Sequence, residues 1–164
     1  MRKAIALAAG LLVLALANYG IAARERLLRE GQVVLLELVP VDPRSLMQGD
    51  YMRLDYVVAQ EAFPWPGDRP VRADGHIVVA VDANRIGRFR RRADGRPLAP
   101  GEVALRYRVR SAEPYFATNA FFFQEGQAGA YGLARYGEFR VGADGEMILT
   151  GLRGSRLERL GSAR

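Results

Sequence analysis

From Ala4 to Ala23 the chain runs for 20 residues without a charged side chain, behind Arg2 and Lys3 and ahead of Arg24, Glu25 and Arg26. No other stretch constrains the fold so strongly. At about 1.5 Å per residue, a helix of this length crosses the roughly 30 Å hydrocarbon core of a bilayer, and a helix satisfies each backbone group within its own segment. Eighteen of the first 23 residues are apolar. Between Ala4 and Ala17 there is no polar face that would let such a helix lie half-buried on a soluble core. The segment predicts an N-terminal transmembrane helix. A cleaved secretory signal is the competing reading, because Ala15-Leu16-Ala17 is a small-x-small site behind a basic start. Tyr19, Ile21, Ala22 and Ala23 continue the apolar run past that site and favour the uncleaved anchor.

Two basic residues on the N side face three close on the C side (Arg24, Arg26, Arg29), a count that slightly favours a cytoplasmic body. The export-like start and the lack of cysteine, which suits an oxidising compartment, point the other way. The expectation is a single-pass protein with its body on the extracytoplasmic side.

Composition closes most chemistries. Among 164 residues with a net charge of +6 there is no Cys and one His, His76. Disulfides, thiolate zinc sites, cysteine nucleophiles and His-based clusters are thereby excluded or made improbable, and no metal or cofactor is expected. Lys3 is the only lysine, so none follows Ser45 to activate it as a nucleophile. The expected organisation is an anchor with a charged extension over 1–30 and a β-rich domain over 31–164.

Gly31 is expected to stop the helix. Strands are predicted at Val33–Val39, Tyr51–Ala59, His76–Asp82, Val103–Arg110 and Tyr115–Phe123, with Phe139–Val141 and Glu146–Thr150 as a closing pair. Asp74-Gly75, Asp94-Gly95 and Asp144-Gly145 read as hairpin turns. Residues 125–136 read as a short helix. The predicted fold is mainly β: a transmembrane helix followed by a small antiparallel β-barrel or sandwich with one or two short helices.

The most distinctive stretch is VPVDPRSLMQGDYMRLDY, Val39–Tyr56. Asp42-Pro43 and Gly49-Asp50 are turn signals on either side of Arg44. In the strand that follows, Met52, Leu54 and Tyr56 share one face and Tyr51 the other. Leu54 and Tyr56 are expected to be buried and Asp50 to accept a backbone N–H. Tyr51 is expected either to pack beneath the turn or to be reset to the inner face by a bulge. Gly49, Asp50, Tyr51, Leu54 and Tyr56 resemble, position for position, the motif of the GDYXXLXY family. The likeness extends to VDPRSL (41–46), FFQEG (122–126) and RYGEFR (135–140). It implies a bacterial protein anchored in the cytoplasmic membrane, of unknown activity, often encoded beside multi-pass membrane proteins. It brings no catalytic residues.

Asp42, Asp50 and Asp55 are better explained by turns and a solvent-facing strand position than by acid–base catalysis. Arg85, Arg88, Arg90, Arg91 and Arg92 form a basic run without an acid, read as a solvated loop or as a contact for anionic surfaces. Nucleic acid is not expected, because no binding motif accompanies the charge. The functional expectation is a non-enzymatic, membrane-tethered module acting with a multi-pass membrane protein. The rival is a hydrolase or small-ligand domain using the carboxylates of the DPR…GDY segment.

Overall fold

The structure is a computed structural model. It describes residues 2–39, 51–64, 73–110, 113–124 and 128–161, without the side chains of residues 2, 4–6, 8, 113 and 128. In chain order the elements are α1 (Arg2–Glu30), β1 (Gln32–Glu37), β2 (Tyr51–Arg53), α2 (Val57–Ala62), β3 (Gly75–Val81), β4 (Gly87–Arg92), β5 (Glu102–Arg110), β6 (Glu113–Phe116), β7 (Ala120–Phe122), α3 (Ala128–Tyr131), β8 (Tyr136–Val141) and β9 (Met147–Arg153).

Helix α1 is continuous through the apolar run and the charged extension, where Arg26–Glu30 (2.8 Å) and Arg29–Glu25 (3.1 Å) pair at i,i+4 spacing. Leu7, Leu11, Leu12, Leu14, Leu16 and Ile21 are all exposed. Among the described residues no helix is long and apolar enough to cross a membrane. The Gly31 N–H closes on the Leu27 carbonyl at 2.9 Å, and the Arg140 guanidinium donates to the Gly31 carbonyl at 3.0 Å. The first bond closes the helix, and the second ties its end to β8.

The strands pair antiparallel in three sheets, ordered β1-β8-β9, β2-β7 and β4-β3-β5-β6. They do not close into a barrel. A parallel bridge between Leu35 and Ile86 links the first sheet to the third, and the Arg106 N–H donates across to the Gly145 carbonyl at 2.9 Å. The C-terminal segment covers the outer edge of β9, with Leu160 N–H donating to the Leu152 carbonyl at 2.9 Å. An edge so covered cannot recruit another strand.

Strands β1, β3, β5, β8 and β9 lie close to where the β-branched and apolar runs put them. Five expectations are corrected. The strand expected over Tyr51–Ala59 ends at Arg53, and Val57–Ala62 is helical. Val58 and Ala62, four apart, both reach the core that way, whereas an extended chain would carry Gln60 inward with them. The 85–92 segment expected as a loop is largely strand β4, with Gly87 and Phe89 turned inward and a bulge at Arg90. Tyr115–Phe123 is broken at Ala117, whose φ of 48° bends the chain between β6 and β7 and hands it from one sheet to another. Phe116 is therefore buried while Phe122 is 75% exposed, although simple alternation placed them on one face. Finally, Gly95 and Gly145 take the positive φ of turn residues, but Gly75 opens strand β3, and Asp74 instead accepts the Val109 N–H at 2.8 Å. The helix expected over 125–136 is the single turn α3.

The core fills the space between the sheets and α2. Tyr56 meets Phe139 edge-on at 5.6 Å, Phe63 meets Tyr107 at 4.9 Å, and Tyr107 touches Phe116 at 5.9 Å. A satellite cluster packs Phe121 and Phe123 against Tyr131 of α3 at 5.0 and 5.3 Å.

Candidate functional site

Strand β2 holds the second half of the motif, and its alternation decides where each side chain goes. Met52, Leu54 and Tyr56 are all buried, while Tyr51 and Arg53 are exposed. No bulge resets Tyr51 to the inner face, and the turn it was expected to pack beneath lies outside the described residues. It pairs directly across from Phe122 of β7, and the two rings lie 5.7 Å apart on the outer face. Asp42, Pro43, Arg44, Gly49 and Asp50 lie outside the described residues, as do Ser45, the expected backbone bond to Asp50 and the rival carboxylate site.

Tyr56 is the buried end of the motif. Its hydroxyl donates to the Thr118 carbonyl at 2.7 Å. Burial, and then the neighbouring charge of Asp55, push its phenol well above the ordinary value. A phenol so held stays protonated at neutral pH and works as a fixed hydrogen-bond donor. Beside it lies a polar cleft of about 170 Å³ lined by Arg53, Asp55, Gln60 and Asn119 among others. Arg53 and Asp55 approach to 3.6 Å across its mouth. The Asn119 side-chain oxygen is buried without a hydrogen-bond partner among the described residues, while its main-chain carbonyl accepts the Leu54 N–H at 2.8 Å.

The basic run is not gathered into one surface. Arg88 and Arg90 point outward from β4, which among the described residues is an edge strand of its sheet beyond Ile86. Arg91 turns to Asp94 at 3.2 Å and Glu102 at 3.1 Å. Arg92 lies over the Phe63 ring at 5.7 Å, and Arg85 occupies a positive-φ turn position. Hydrogen bonding from Arg96 holds the Asp94 carboxyl below the usual carboxylate range. The sequence had read this segment without its turn: Asp82 Oδ1 accepts the N–H groups of both Asn84 and Ile86 at 2.9 Å, which pins the β3–β4 hairpin.

One polar cluster had no sequence signal beyond alternation. Glu138 of β8 is buried and accepts from Arg153 of β9 at 2.5 Å and from the Thr150 hydroxyl at 3.3 Å. Arg153 also donates to the Leu157 carbonyl at 2.7 Å. His76 bonds the Asp144 carbonyl at 3.1 Å, a structural role. Among the described residues no three His, Asp or Glu side chains converge as a metal site.

Helix, sheets and motif strand together define a mainly antiparallel β domain behind a long helix, organised around the buried Leu54 and Tyr56. The sequence model of the GDYXXLXY protein family matches residues 13–152, and the chain belongs to that family. No curated protein and no solved structure is matched by the chain.

Proposed function

We propose that the protein is a non-enzymatic module tethered to the bacterial cytoplasmic membrane by α1, with an extracytoplasmic body that docks on a neighbouring multi-pass membrane protein. The observation that carries this reading is the union of an apolar, outward-facing helix with the β domain. The uncharged run Ala4–Ala23 lies within α1, and the leucines described along it have no protein partner to bury them. Such a face calls for lipid or another apolar helix. The bonds at Gly31 hold the domain close to the helix end, so a partner in the same membrane meets a presented surface. On that domain Tyr51 and Phe122 offer adjacent exposed rings, the residue type that anchors protein interfaces.

The test is photocrosslinking in the native membrane. The full chain carries p-benzoylphenylalanine in place of Phe122, or, as a control, in place of the exposed Leu98. An adduct with a multi-pass membrane protein from position 122 and none from position 98 is the expected result. No adduct from 122, or equal adducts from both, would remove the docking reading.

A further inference from the structure

Arg106, Arg108 and Arg110 alternate along β5 with the inward Leu105, Tyr107 and Val109, so all three leave the strand on its outer face. The β8–β9 turn lays Glu146 over that face, where its Oε1 accepts from Arg106 at 2.6 Å and from Arg108 at 2.7 Å. Arg110 lies over the Tyr115 ring at 5.9 Å. Arg24 of α1 joins them: the four arginines and Glu146 line one cleft of about 120 Å³. Four guanidinium groups thus face one carboxylate. Arg24 and Arg110 make no ion pair among the described residues, so the described lining of the cleft sets four positive charges against one negative.

Position says what this field meets. Arg24 is the first charged residue after the uncharged run. In a helix that spans a bilayer, that residue marks the level of the lipid head groups. The structure brings the β5 arginines to the same level. We propose that this cleft binds the phosphate of an anionic phospholipid in the membrane that α1 enters. The inference rests on the anchor reading of α1. Guanidinium groups fit phosphate oxygens in pairs, with planar N–H forks that an ammonium lacks. A zwitterionic head group adds a cation that the field repels, so selection is for anionic lipid. The wider neighbouring cleft, about 570 Å³ between the end of α1 and the β8–β9 turn, sets Arg24 and Arg26 against Glu30, Asp144 and Glu146 and has no such preference.

The full chain in neutral detergent is titrated with short-chain phosphatidylglycerol, short-chain phosphatidylcholine and inorganic phosphate, with bound species read by native mass spectrometry. Phosphatidylglycerol is expected to bind in preference to phosphatidylcholine. Arg106→Gln/Arg108→Gln/Arg110→Gln should abolish the preference. Arg24→Gln/Arg110→Gln, which leaves both bonds to Glu146 in place and so guards against misfolding, should weaken phosphatidylglycerol about tenfold. Arg88→Gln/Arg90→Gln removes the same charge elsewhere and should leave binding unchanged. Equal binding of the two lipids, or an equal loss in the β4 control, overturns the proposal. So does inorganic phosphate competing as well as phosphatidylglycerol, which would make the cleft a free-phosphate site. Alkaline carbonate extraction of membranes separates the two readings. A chain that is extracted yet binds phosphatidylglycerol through these arginines loses its anchor and keeps its lipid site. A chain that resists extraction without lipid preference keeps the anchor and loses the site.

Discussion

The Tyr56 hydroxyl donates to the carbonyl of Thr118, 62 residues further along the chain, at 2.7 Å. Through this bond the last residue of the motif holds the connection between β6 and β7, where Ala117 takes its left-handed φ. The ring itself packs on Phe139 of the other sheet. Leu54, its buried neighbour just after β2, donates its backbone N–H to the Asn119 carbonyl in the same connection. The motif is thus a point where three segments distant in sequence are fastened together.

Replacing Tyr56 with Phe leaves the ring contact and strips the Thr118 carbonyl of its donor. An unsatisfied group at a buried site costs about 1–3 kcal/mol, and Tyr56→Ala, which also empties ring volume, about 3–5 kcal/mol. Urea unfolding of the full chain in neutral detergent measures both, and equal stabilities for wild type and Tyr56→Phe would show the bond to be idle.

The same phenol predicts a pH dependence. Its folded value lies above the ordinary 10.0 because burial disfavours the phenolate. The sign follows from linkage: the unfolded chain releases this proton first, so the contribution of Tyr56 is whole below that value and falls as pH rises beyond it. Between about pH 9 and pH 11, wild type should lose stability more steeply than Tyr56→Phe. Parallel curves for the two proteins would contradict the buried phenol.

Glu138 is buried and pairs with the half-buried Arg153 on the neighbouring strand. Arg153→Leu leaves a carboxylate inside the protein without its partner, at a cost of about 3 kcal/mol. Adding Glu138→Leu removes the stranded charge, and the double variant should recover a large part of that loss. A double-mutant cycle in urea reads the coupling directly; simple additivity would mean that water, and not Arg153, satisfies Glu138.

How far the sequence reached depended on which physical signal each segment carried. Strands β1, β3, β5, β8 and β9 were legible because each carries a compact set of β-branched and other apolar residues, alternating with arginines in β5 and contiguous in β1 and β3, where three successive residues are buried. The inward set Met52, Leu54 and Tyr56 was legible from its alternation. Helix α2 was not, because Val57 and Val58 favour strand locally and only the core contact of Ala62 four residues on decides for helix. Strand β4 was hidden because arginines occupy both its faces, leaving Phe89 as the lone apolar marker. The β6–β7 break had no glycine or proline to announce it, since Ala117 itself adopts the positive φ. The cleft of Arg24 with Arg106, Arg108 and Arg110 joins residues more than 80 positions apart. No spacing rule along one chain could have gathered them.

The last prediction concerns the arginines of β4. Beyond Ile86 this strand is, among the described residues, an edge of its sheet, and an exposed edge is a template for pairing with another molecule. Arg88 and Arg90 stand outward there, and the bulge at Arg90 interrupts the regular ladder. Their charge repels an identical edge brought alongside, so the run protects the fold against association. Arg88→Thr/Arg90→Thr keeps a strand-compatible residue at each position and should leave urea stability within about 0.5 kcal/mol of wild type, as exposed substitutions do. The variant should nevertheless self-associate at lower concentration, measured by sedimentation velocity in neutral detergent. Restoring charge of the opposite sign, with Arg88→Glu/Arg90→Glu, should return the protein to its original state of association, because repulsion between like edges does not depend on the sign. If the Thr variant remained as dispersed as wild type, the bulge alone would guard the edge; if the Glu variant associated, the arginines would be acting through a specific contact and not through like-charge repulsion.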